Sequence, residues 1–345
     1  MAHNDTEGAA ELLRLAGLAT PMALRVAVTL GLPDRLADNP ADAERLADEL
    51  GQSPLALELL LNHLTTLGVL ERTAIGHQTT QYGANLRAGT FAANLLHLDT
   101  AGGRGELALV ELAHSIATGR ESYSRRYGQD FWADLTEHPH LRESFDRQMS
   151  QRLHDQVPQI VAGFDWSRFA TVVDLGGGRG TLLAAILAAT PRMRGHLVDL
   201  AATAAEATRT FGEHGLADRT EVTAGSFFDP LPAGADAYLL VDILHDWDDE
   251  QAHRILARCV EAATATSRVL VIEPVGGEHA STEIDLVMLT LYGGRERRVD
   301  EFRTLAAAHG LLLDAVTTVS GGRSLLEFRF EATGGTDRTA GGTEG

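Results

Sequence analysis

The sequence predicts an α/β protein: a doubly wound, mostly parallel sheet preceded by a smaller helical domain. Beyond residue 164, short apolar runs typical of buried strands alternate with helical stretches, which indicates parallel βαβ units. Five such runs and two β-rich runs near the end predict a seven-stranded, Rossmann-like sheet. The five are Thr171–Leu175, Gly195–Leu200, Arg219–Ser226, Ala237–Val241 and Arg268–Pro274.

Residues 1–90 predict three helices and a short hairpin, the outline of a winged-helix domain. Apolar residues at three- and four-residue spacing indicate helices at Ala23–Leu30 and Ala43–Leu50, and Ser53-Pro54 begins another. The chain has 29 Lys+Arg against 48 Asp+Glu, a formal net charge of −19. Because such a surface repels nucleic acid and anionic lipid, we interpret this domain as an interaction or dimerisation module.

Three further segments complete the chain. Residues 91–164 keep a helical pattern, and residues 165–331 form the predicted sheet domain. Within it, Leu311–Ser320 and Ser324–Phe330 are separated only by a short glycine-containing link, which predicts an antiparallel pair at the sheet edge. Residues 332–345, rich in glycine and threonine, have nothing to bury, so we expect a disordered tail.

The composition favours a cytoplasmic protein. The single cysteine, Cys259, cannot form an internal disulfide, and the first residues lack the pattern of a secretory signal. No apolar run approaches the ~20 residues that a membrane span needs. We therefore expect neither nucleic acid nor membrane among the partners.

A strand, a glycine-rich turn and a helix follow one another at Thr171–Thr181. Glycine allows sharp turns and close approach of a ligand, and open α/β sheets bind ligands at the carboxyl ends of strands. The dinucleotide pattern G-x-G-x-x-G is absent, because threonine occupies its third glycine position. Instead Asp174 precedes Gly176, Gly178 and Gly180. A carboxylate there repels a pyrophosphate but suits an ammonium group or its waters.

The next two strand ends supply further binding candidates. Asp199 ends the second strand, where a carboxylate can accept hydrogen bonds from a ribose diol, in nicotinamide and adenosyl cofactors alike. After the third strand, Ser226 can bond to an adenine edge and Phe227 can lie against a purine face. The structural alternatives are a tight turn for the glycines, a helix cap for Asp199 and core packing for Phe227. The order of these residues favours a cofactor site.

His245 follows the fourth predicted strand, at the edge of the sheet that holds the glycine loop. With an ordinary pKa near ~6.5, an imidazole there can take a proton at neutral pH, which makes it a candidate general base. Glu273 ends the next strand, and we expect it to orient the imidazole through the other ring nitrogen. Glu296 lies in a glycine loop that can face the same pocket. Surface, capping or purely structural roles are the alternatives.

An acidic run, Asp246, Asp248, Asp249 and Glu250, follows the histidine. These acids most simply cap the following helix at its positive end. We also count Asp246 among the substrate-binding candidates. The spacing fits no metal-ligand set, so no metal site is predicted.

Together these motifs resemble the class I S-adenosylmethionine-dependent methyltransferases. More narrowly, they resemble the bacterial and plant-type small-molecule O-methyltransferases, including those that tailor polyketide antibiotics in actinobacteria. The resemblance covers residues 10–330. It rests on Asp174–Gly180, Ala224–Pro232, His245–Glu250 and Gly293–Arg297.

This resemblance implies S-adenosylmethionine as cofactor, a hydroxyl of a small aromatic compound as methyl acceptor, and a homodimer formed through the winged-helix-like domain. It implies that the helices of residues 91–164 roof the substrate pocket, with Phe145 and Met149 pointing into it. The residue matching His245 is the family's general base, and the residues matching Glu273 and Glu296 flank it.

Two departures concern the cofactor side of the site. Many relatives have an acid where this chain has Ser226, and plant members have a lysine where it has Val241. Three other functions stay open: carbon methylation of an α-keto acid, non-methylating chemistry such as hydroxylation in a repurposed pocket, and a ligand-sensing transcription regulator. The intact His245-Asp-Trp motif disfavours the second, and the acidic charge disfavours the third.

Overall fold

The structure is a computed structural model that describes residues 2–278 and 280–331. The chain divides into two compact units, Met1–Val110 with Phe131–Gln151 and Glu111–Asp130 with Arg152–Gly345. The tail predicted at 332–345 lies outside the described residues. The domain boundaries expected after residues 90 and 164 stay predictions.

Helices make up most of the chain before residue 163. They are α1 (Ala2–Ala16), α2 (Ala19–Thr29), α3 (Leu32–Arg35), α4 (Ala43–Leu50), α5 (Pro54–Thr66), α6 (Phe91–Leu96), α7 (Ala101–Ala108), α8 (Leu112–Thr118), α9 (Tyr123–Tyr127), α10 (Phe131–Glu137), α11 (Pro139–His154) and α12 (Val157–Ala162). A hairpin of β1 (Leu70–Thr73) and β2 (Gly76–Thr79) follows α5. The predicted helices and hairpin of the N-terminal domain are therefore confirmed.

Local sequence explains where these helices begin and end. Ser53 accepts a hydrogen bond from the backbone N–H of Ala56 and caps α5, whose first residue is Pro54. Gly51 ends α4 in the left-handed conformation, with φ of 65°. The helices and the hairpin enclose a core of buried leucines and small apolar residues, among them Leu32, Leu36, Leu46, Leu61 and Leu64.

Although the sequence has no unbroken apolar run of that length, one stretch of the described chain, Gly8–Thr29, is long and on average apolar enough to cross a membrane by length and composition alone. Only 17% of its most apolar 18-residue window is buried within the protein. The stretch contains the second part of α1 and all of α2, which are separated by residues 17 and 18. Core helices of soluble proteins and leader sequences can meet the same criterion, so the stretch by itself assigns no membrane role.

The second unit contains a seven-stranded sheet in the order β5-β4-β3-β6-β7-β9-β8. Its strands are β3 (Thr171–Leu175), β4 (Arg194–Asp199), β5 (Thr220–Ala224), β6 (Ala237–Val241), β7 (Arg268–Glu273), β8 (Leu311–Ser320) and β9 (Arg323–Phe330). The first five pair in parallel, and β9 pairs antiparallel with both β7 and β8. The predicted sheet and its antiparallel edge pair are confirmed.

Helices cover both faces of this sheet. They are α13 (Thr181–Ala189), α14 (Ala201–Glu213), α15 (Asp249–Ala262), α16 (Thr282–Tyr292) and α17 (Val299–Ala307). Neighbouring side chains of a strand point to opposite faces, so Val172 packs in the core with α13 while Val173 packs in the core with α15. This two-sided burial explains why the central strands β3, β6 and β7 are largely apolar, whereas the edge strand β5 is largely exposed.

The strand order brings two segments of interest together at one edge. β3 and β6 are hydrogen-bonded neighbours, with Leu175 opposite Leu240. The glycine loop after β3 and the histidine turn after β6 therefore leave the sheet side by side, about 4.8 Å apart in the strand-pairing direction. This is also where the strand order reverses direction, the usual ligand crevice of a doubly wound sheet.

Candidate active site

The glycine loop between β3 and α13 depends on a left-handed backbone. Gly176, Gly178 and Gly180 have φ of 68°, 59° and 75°. These values favour glycine, since a side chain in this region is strained. The N–H of Gly176 donates to the carbonyl of Val198 at 2.8 Å, and the N–H of Gly178 donates to Asp199 Oδ2 at 2.9 Å. The loop is thus attached to the end of β4.

The space around the loop separates structural glycines from a ligand-facing one. A Cβ added to Gly177 would lie 2.4 Å from Asp174 Oδ2, and a Cβ added to Gly180 would lie 2.7 Å from the ring of Phe211. A Cβ added to Gly178 would meet no atom within 4 Å. The middle of the loop is therefore open to a ligand, whereas its two sides are packed.

Asp174, at the end of β3, is a buried carboxylate with an unsatisfied oxygen. It is 1% exposed, and its Oδ1 has no hydrogen-bond partner in the described protein. Burial, together with the nearby charge of Asp199, raises the pKa of Asp174 to about 7. A cationic group placed beside this oxygen would restore its ionisation. The site thus fits a ligand with an ammonium group.

The predicted adenine-side residues lie beside the loop. The ring of Phe227 comes within 3.4 Å of a Cβ built on Gly176. Ser226 Oγ accepts a hydrogen bond from the backbone N–H of Phe228 at 3.2 Å, so its O–H can still donate to another acceptor. Phe227 also packs edge-on against Trp247, with centroids 5.9 Å apart. Phe227 is therefore both part of the core edge and a wall of the crevice.

His245 lies in a 3₁₀ turn, Leu244–Asp246, and is 2% exposed. Glu273 Oε1 accepts hydrogen bonds from three successive backbone N–H groups, those of Ile243 at 3.1 Å, Leu244 at 2.6 Å and His245 at 3.3 Å. Our expectation that Glu273 orients the imidazole is therefore wrong. The end of β7 brings this carboxylate beneath the backbone of the turn rather than to the ring.

Glu296 orients the imidazole instead. His245 Nδ1 lies 3.2 Å from both carboxylate oxygens of Glu296, and Nε2 lies 3.5 Å from Asp246 Oδ1. A hydrogen bond from Nδ1 to Glu296 fixes the orientation of the ring, so that Nε2 points away from Glu296. The pair has the geometry of a base with an orienting carboxylate.

The Gly293-Gly294 pair explains how Glu296 reaches the histidine. A Cβ on Gly294 would lie 2.0 Å from the backbone oxygen of His245, so this contact requires glycine. Asp285 Oδ1 accepts a hydrogen bond from the N–H of Glu296 at 2.9 Å. The loop after α16 is thus packed directly on the histidine turn.

Arg297 ends the Gly293–Arg297 motif, but no role for it was predicted from the sequence. Its guanidinium is buried and donates to the carbonyl oxygens of Leu244 at 2.5 Å and Trp247 at 2.8 Å. It also donates twice to Asp249 Oδ1, at 3.1 and 2.8 Å. Arg297 therefore ties both ends of the histidine turn to the start of α15.

The acidic run divides into different roles. Asp248 caps α15 by accepting from the N–H of Gln251 at 2.9 Å, and Asp249 and Glu250 occupy the first turn. Asp246 does not cap this helix, because it is buried within the 3₁₀ turn, next to the imidazole. Its predicted role in binding substrate stays a prediction.

The pKa of His245 differs from the ordinary value of ~6.5 that was expected from the sequence. Burial disfavours a charged imidazole, but the carboxylates of Asp246, Glu296 and Glu273 outweigh it and raise the pKa of His245 to about 10. Burial in turn raises the pKa values of Asp246 and Glu273 to about 7. The surrounding carboxylates therefore favour the protonated form of His245 in the ligand-free protein.

The two residues predicted to line the substrate pocket lie on α11, in the first compact unit. Phe145 and Met149 are half-buried. The Phe145 ring packs edge-on against Phe131 and Trp132, with centroids 5.6 Å away in each case. Their contact with substrate stays a prediction.

Comparison with known proteins identifies two family domains. The O-methyltransferase domain matches residues 109–312, and the O-methyltransferase dimerisation domain matches residues 13–94. The chain is 47% identical to 2,7-dihydroxy-5-methyl-1-naphthoate 7-O-methyltransferase of Streptomyces carzinostaticus, over 90% of this chain and 94% of the relative. It is 42% identical to aclacinomycin 10-hydroxylase RdmB of Streptomyces purpurascens, over 92% and 88%.

A solved structure agrees with these relatives. It is the O-methyltransferase NcsB1 from neocarzinostatin biosynthesis, in complex with S-adenosylmethionine and 2-hydroxy-5-methyl naphthoic acid. The TM-score is 0.87 at 44% identity, and the match covers 93% of this chain and 98% of that chain. With a catalytic-domain match over more than half of its length and relatives of this similarity, the chain belongs to the S-adenosylmethionine-dependent O-methyltransferases.

Proposed function

We propose that this enzyme methylates a hydroxyl group of a small aromatic natural product, with His245 as the general base. The observation that carries the proposal is the buried His245–Glu296 pair. His245 follows β6, the strand that pairs with β3, and β3 ends in the glycine loop. The activities of the relatives support an aromatic acceptor, because one relative methylates a hydroxynaphthoate and a solved structure holds a hydroxynaphthoic acid.

The cofactor would be held by residues whose chemistry matches its parts. Asp174 would face the ammonium group, Asp199 the ribose hydroxyls, and Ser226 and Phe227 the adenine. When bound, S-adenosylmethionine supplies an electrophilic methyl group on a sulfonium centre. The loop around Gly178 contributes main-chain surface rather than a reactive group, so its task is positioning.

His245 has a proton affinity that suits an aromatic hydroxyl. A phenol has a pKa near ~10, as tyrosine does. The pKa of His245 is about 10 because Asp246, Glu296 and Glu273 offset its burial. Transfer of the acceptor's proton to Nε2 therefore costs little free energy, and Glu296 stabilises the imidazolium that forms. Because the raised pKa favours the protonated imidazole, that proton must leave before His245 can act as a base, so kcat/KM rises with pH.

A Glu296→Gln variant tests this pH dependence. Removing the carboxylate lowers the pKa of His245, so the rising limb of kcat/KM moves to lower pH than in the unmodified enzyme. The maximal kcat falls as well, because the imidazolium loses its partner. Initial rates across pH 6 to 10 measure both effects. This range runs from the ordinary histidine pKa of ~6.5 to the raised pKa of His245. Glu261→Gln, which changes an exposed carboxylate on α15, serves as the control. An unmoved limb contradicts the assignment.

Asp174→Asn tests the cation site. When folding raises the pKa of a carboxyl group, its ionisation destabilises the folded state. For Asp174 this destabilisation grows as the pH rises above the ordinary pKa of 3.8 and is complete above about pH 7. A shift from 3.8 to about 7 corresponds to at most roughly 4 kcal/mol at higher pH. The ligand-free variant should therefore unfold at a higher temperature at pH 8, yet bind S-adenosylmethionine more weakly. Thermal melts and calorimetry measure both. A lower melting temperature with unchanged affinity sinks the idea.

Incubation with methyl-labelled S-adenosylmethionine and a panel of hydroxyarenes tests the activity itself. O-methylation predicts label on oxygen and one S-adenosylhomocysteine released per product. Label on carbon indicates the carbon-methylation alternative. An oxygenated product without label indicates hydroxylation, a second candidate that the 42% identity to an aclacinomycin hydroxylase supports. Mass spectrometry with fragment analysis separates the three outcomes.

We also propose that the enzyme is a cytoplasmic homodimer. The dimerisation domain at residues 13–94 supports the dimer, as do highly exposed leucines that would otherwise face water, namely Leu12, Leu13, Leu15, Leu18, Leu55 and Leu59. The single cysteine, Cys259, is buried, and burial raises the pKa of its thiol to about 12. A buried, protonated thiol suits a reducing compartment.

A further inference from the structure

Asp242, between β6 and the histidine turn, has an unusual backbone. Its φ is 52°, and it is the only residue other than glycine with a positive φ in the described part of the chain. A left-handed conformation is disfavoured for a residue with a Cβ and persists where surrounding contacts hold it. Asp242 lies three positions before His245. Its contacts therefore bear on how the histidine is placed.

Arg323, the first residue of β9, supplies those contacts. Its Nε donates to Asp242 Oδ1 at 3.0 Å and one terminal nitrogen donates to Oδ2 at 2.5 Å, a two-pronged ion pair. Arg323 is 2% exposed, and the Asp242 side chain is 16% exposed. The backbone N–H of Asp242 donates to the carbonyl of Ile272 at 3.0 Å. Both the side chain and the main chain of Asp242 are thus fixed.

The conformation of Asp242 sets the direction of the next residues. The chain turns there so that the next three backbone N–H groups converge on Glu273 Oε1. The third of these belongs to His245, whose ring then meets Glu296. A change of φ at Asp242 would rotate these donors away from the carboxylate. The position of the imidazole therefore depends on the Asp242 backbone.

Arg323 also balances charge in the cluster. The charged groups facing His245 are Asp246 on its own turn, Asp242 after β6, Glu273 at the end of β7 and Glu296 after α16, while Arg323, Arg297 and Arg152 act on these carboxylates. Burial acts to raise the pKa of Asp242, but Arg323 outweighs it, so the net pKa is lowered and Asp242 stays ionised. Glu273 Oε2 is buried without a hydrogen-bond partner among the described residues. A buried cation is thus needed among several carboxylates.

We propose that the Arg323–Asp242 pair is a positioning device for His245, which holds the left-handed turn and balances the charge around the imidazole. This inference rests on the proposed role of His245 as the base. Neither residue touches the reacting atoms. Arg323 and Asp242 act on catalysis through the backbone that carries the histidine and through its electrostatic surroundings.

Two substitutions give opposite effects under this proposal. Arg323→Gln removes a cation from the cluster, so the pKa of His245 rises at pH values where Asp242 remains ionised. Asp242→Asn removes a carboxylate that interacts with His245, so the same pKa falls. NMR titration of ligand-free protein, with the His245 signal assigned through a His245→Gln variant, measures both shifts. The rising limb of kcat/KM moves in the same directions.

The steady-state rates separate positioning from binding. We expect kcat of Arg323→Gln to fall about 10- to 100-fold through misplacement of the imidazole, with the KM for S-adenosylmethionine nearly unchanged. Arg323→Lys keeps the charge but loses the two-pronged geometry. It should therefore lower kcat while leaving the pKa of His245 close to its original value. If the Arg323 variants do not fold, the fall in the pKa of His245 expected for Asp242→Asn still tests the proposal.

Arg168→Gln is the matched control. Arg168 makes a two-pronged ion pair with buried Glu327 of β9, at 3.0 and 2.6 Å. Its loss should lower the melting temperature without moving the pKa of His245. Shifts of the same sign in Arg323→Gln and Asp242→Asn, or no shift in either, overturn the proposal. If His245→Ala retains full activity, the proposed base is wrong instead, and the titrations still report on the pair.

Discussion

Replacing His245 by alanine should lower kcat by about 10²–10⁴-fold, the usual contribution of a general base. The variant loses the proposed acceptor for the substrate proton, whereas the glycine loop and Asp199 are untouched. Calorimetric affinity for S-adenosylmethionine should therefore stay within about twofold, far below the effect on rate. Turnover measured with labelled cofactor checks the first expectation and titration of the variant checks the second.

A second histidine provides a control for this experiment. His253 on α15 is half-buried, and its Nδ1 lies 3.0 Å from Nε2 of His309. His253→Ala should keep nearly full kcat even if it melts earlier. Equal losses in the two variants would mean that His245 contributes only to stability. A His245→Ala enzyme with unreduced turnover would show that another group accepts the proton, or that none is needed.

Replacing Asp199 by alanine should weaken S-adenosylmethionine binding about 100-fold. Loss of a hydrogen bond to a charged group costs about 1.5–3 kcal/mol, and Asp199 has two kinds of partner to lose. It accepts from the N–H of Gly178 at 2.9 Å, which shapes the loop, and it is the proposed acceptor for the ribose hydroxyls. Isothermal calorimetry measures the affinity directly.

Two further variants separate these contributions. Asp199→Asn keeps an acceptor for Gly178 but removes the charge, so an intermediate affinity indicates that the charged hydrogen bonds matter beyond loop shape. Asp218→Ala removes an exposed carboxylate from the 3₁₀ turn before β5 and should bind the cofactor normally. If Asp199→Ala binds as tightly as the unmodified enzyme, the cofactor does not use this carboxylate.

Local patterns predicted the sheet and the glycine loop well. Apolar runs identify strands that are buried on both faces, and glycines at Gly176, Gly178 and Gly180 indicate a backbone that only glycine adopts readily. Strand ends also identified Asp174, Asp199 and His245 as candidates, since parallel strands deliver their carboxyl ends to one edge. This information is contained within a few neighbouring residues.

The connections within the site were not predictable in the same way. Arg323 and Asp242 are 81 residues apart, and Glu296 is 51 residues from the histidine that it orients. The roles of Glu273 and Glu296 were distinguished only by where each carboxylate arrives, beneath the backbone or beside the ring. The raised pKa of His245 likewise results from burial and from charges on separate elements. No spacing rule in the sequence contains such tertiary information.

The pairing of β3 with β6 has a consequence for how the enzyme can evolve new acceptors. The strands that present the glycine loop and the imidazole share a continuous ladder of main-chain hydrogen bonds, so the distance between them cannot be tuned without breaking the sheet. The glycine loop and the imidazole are thereby held at a fixed separation by the sheet. Divergence toward new acceptors is then left to side chains outside these two strands.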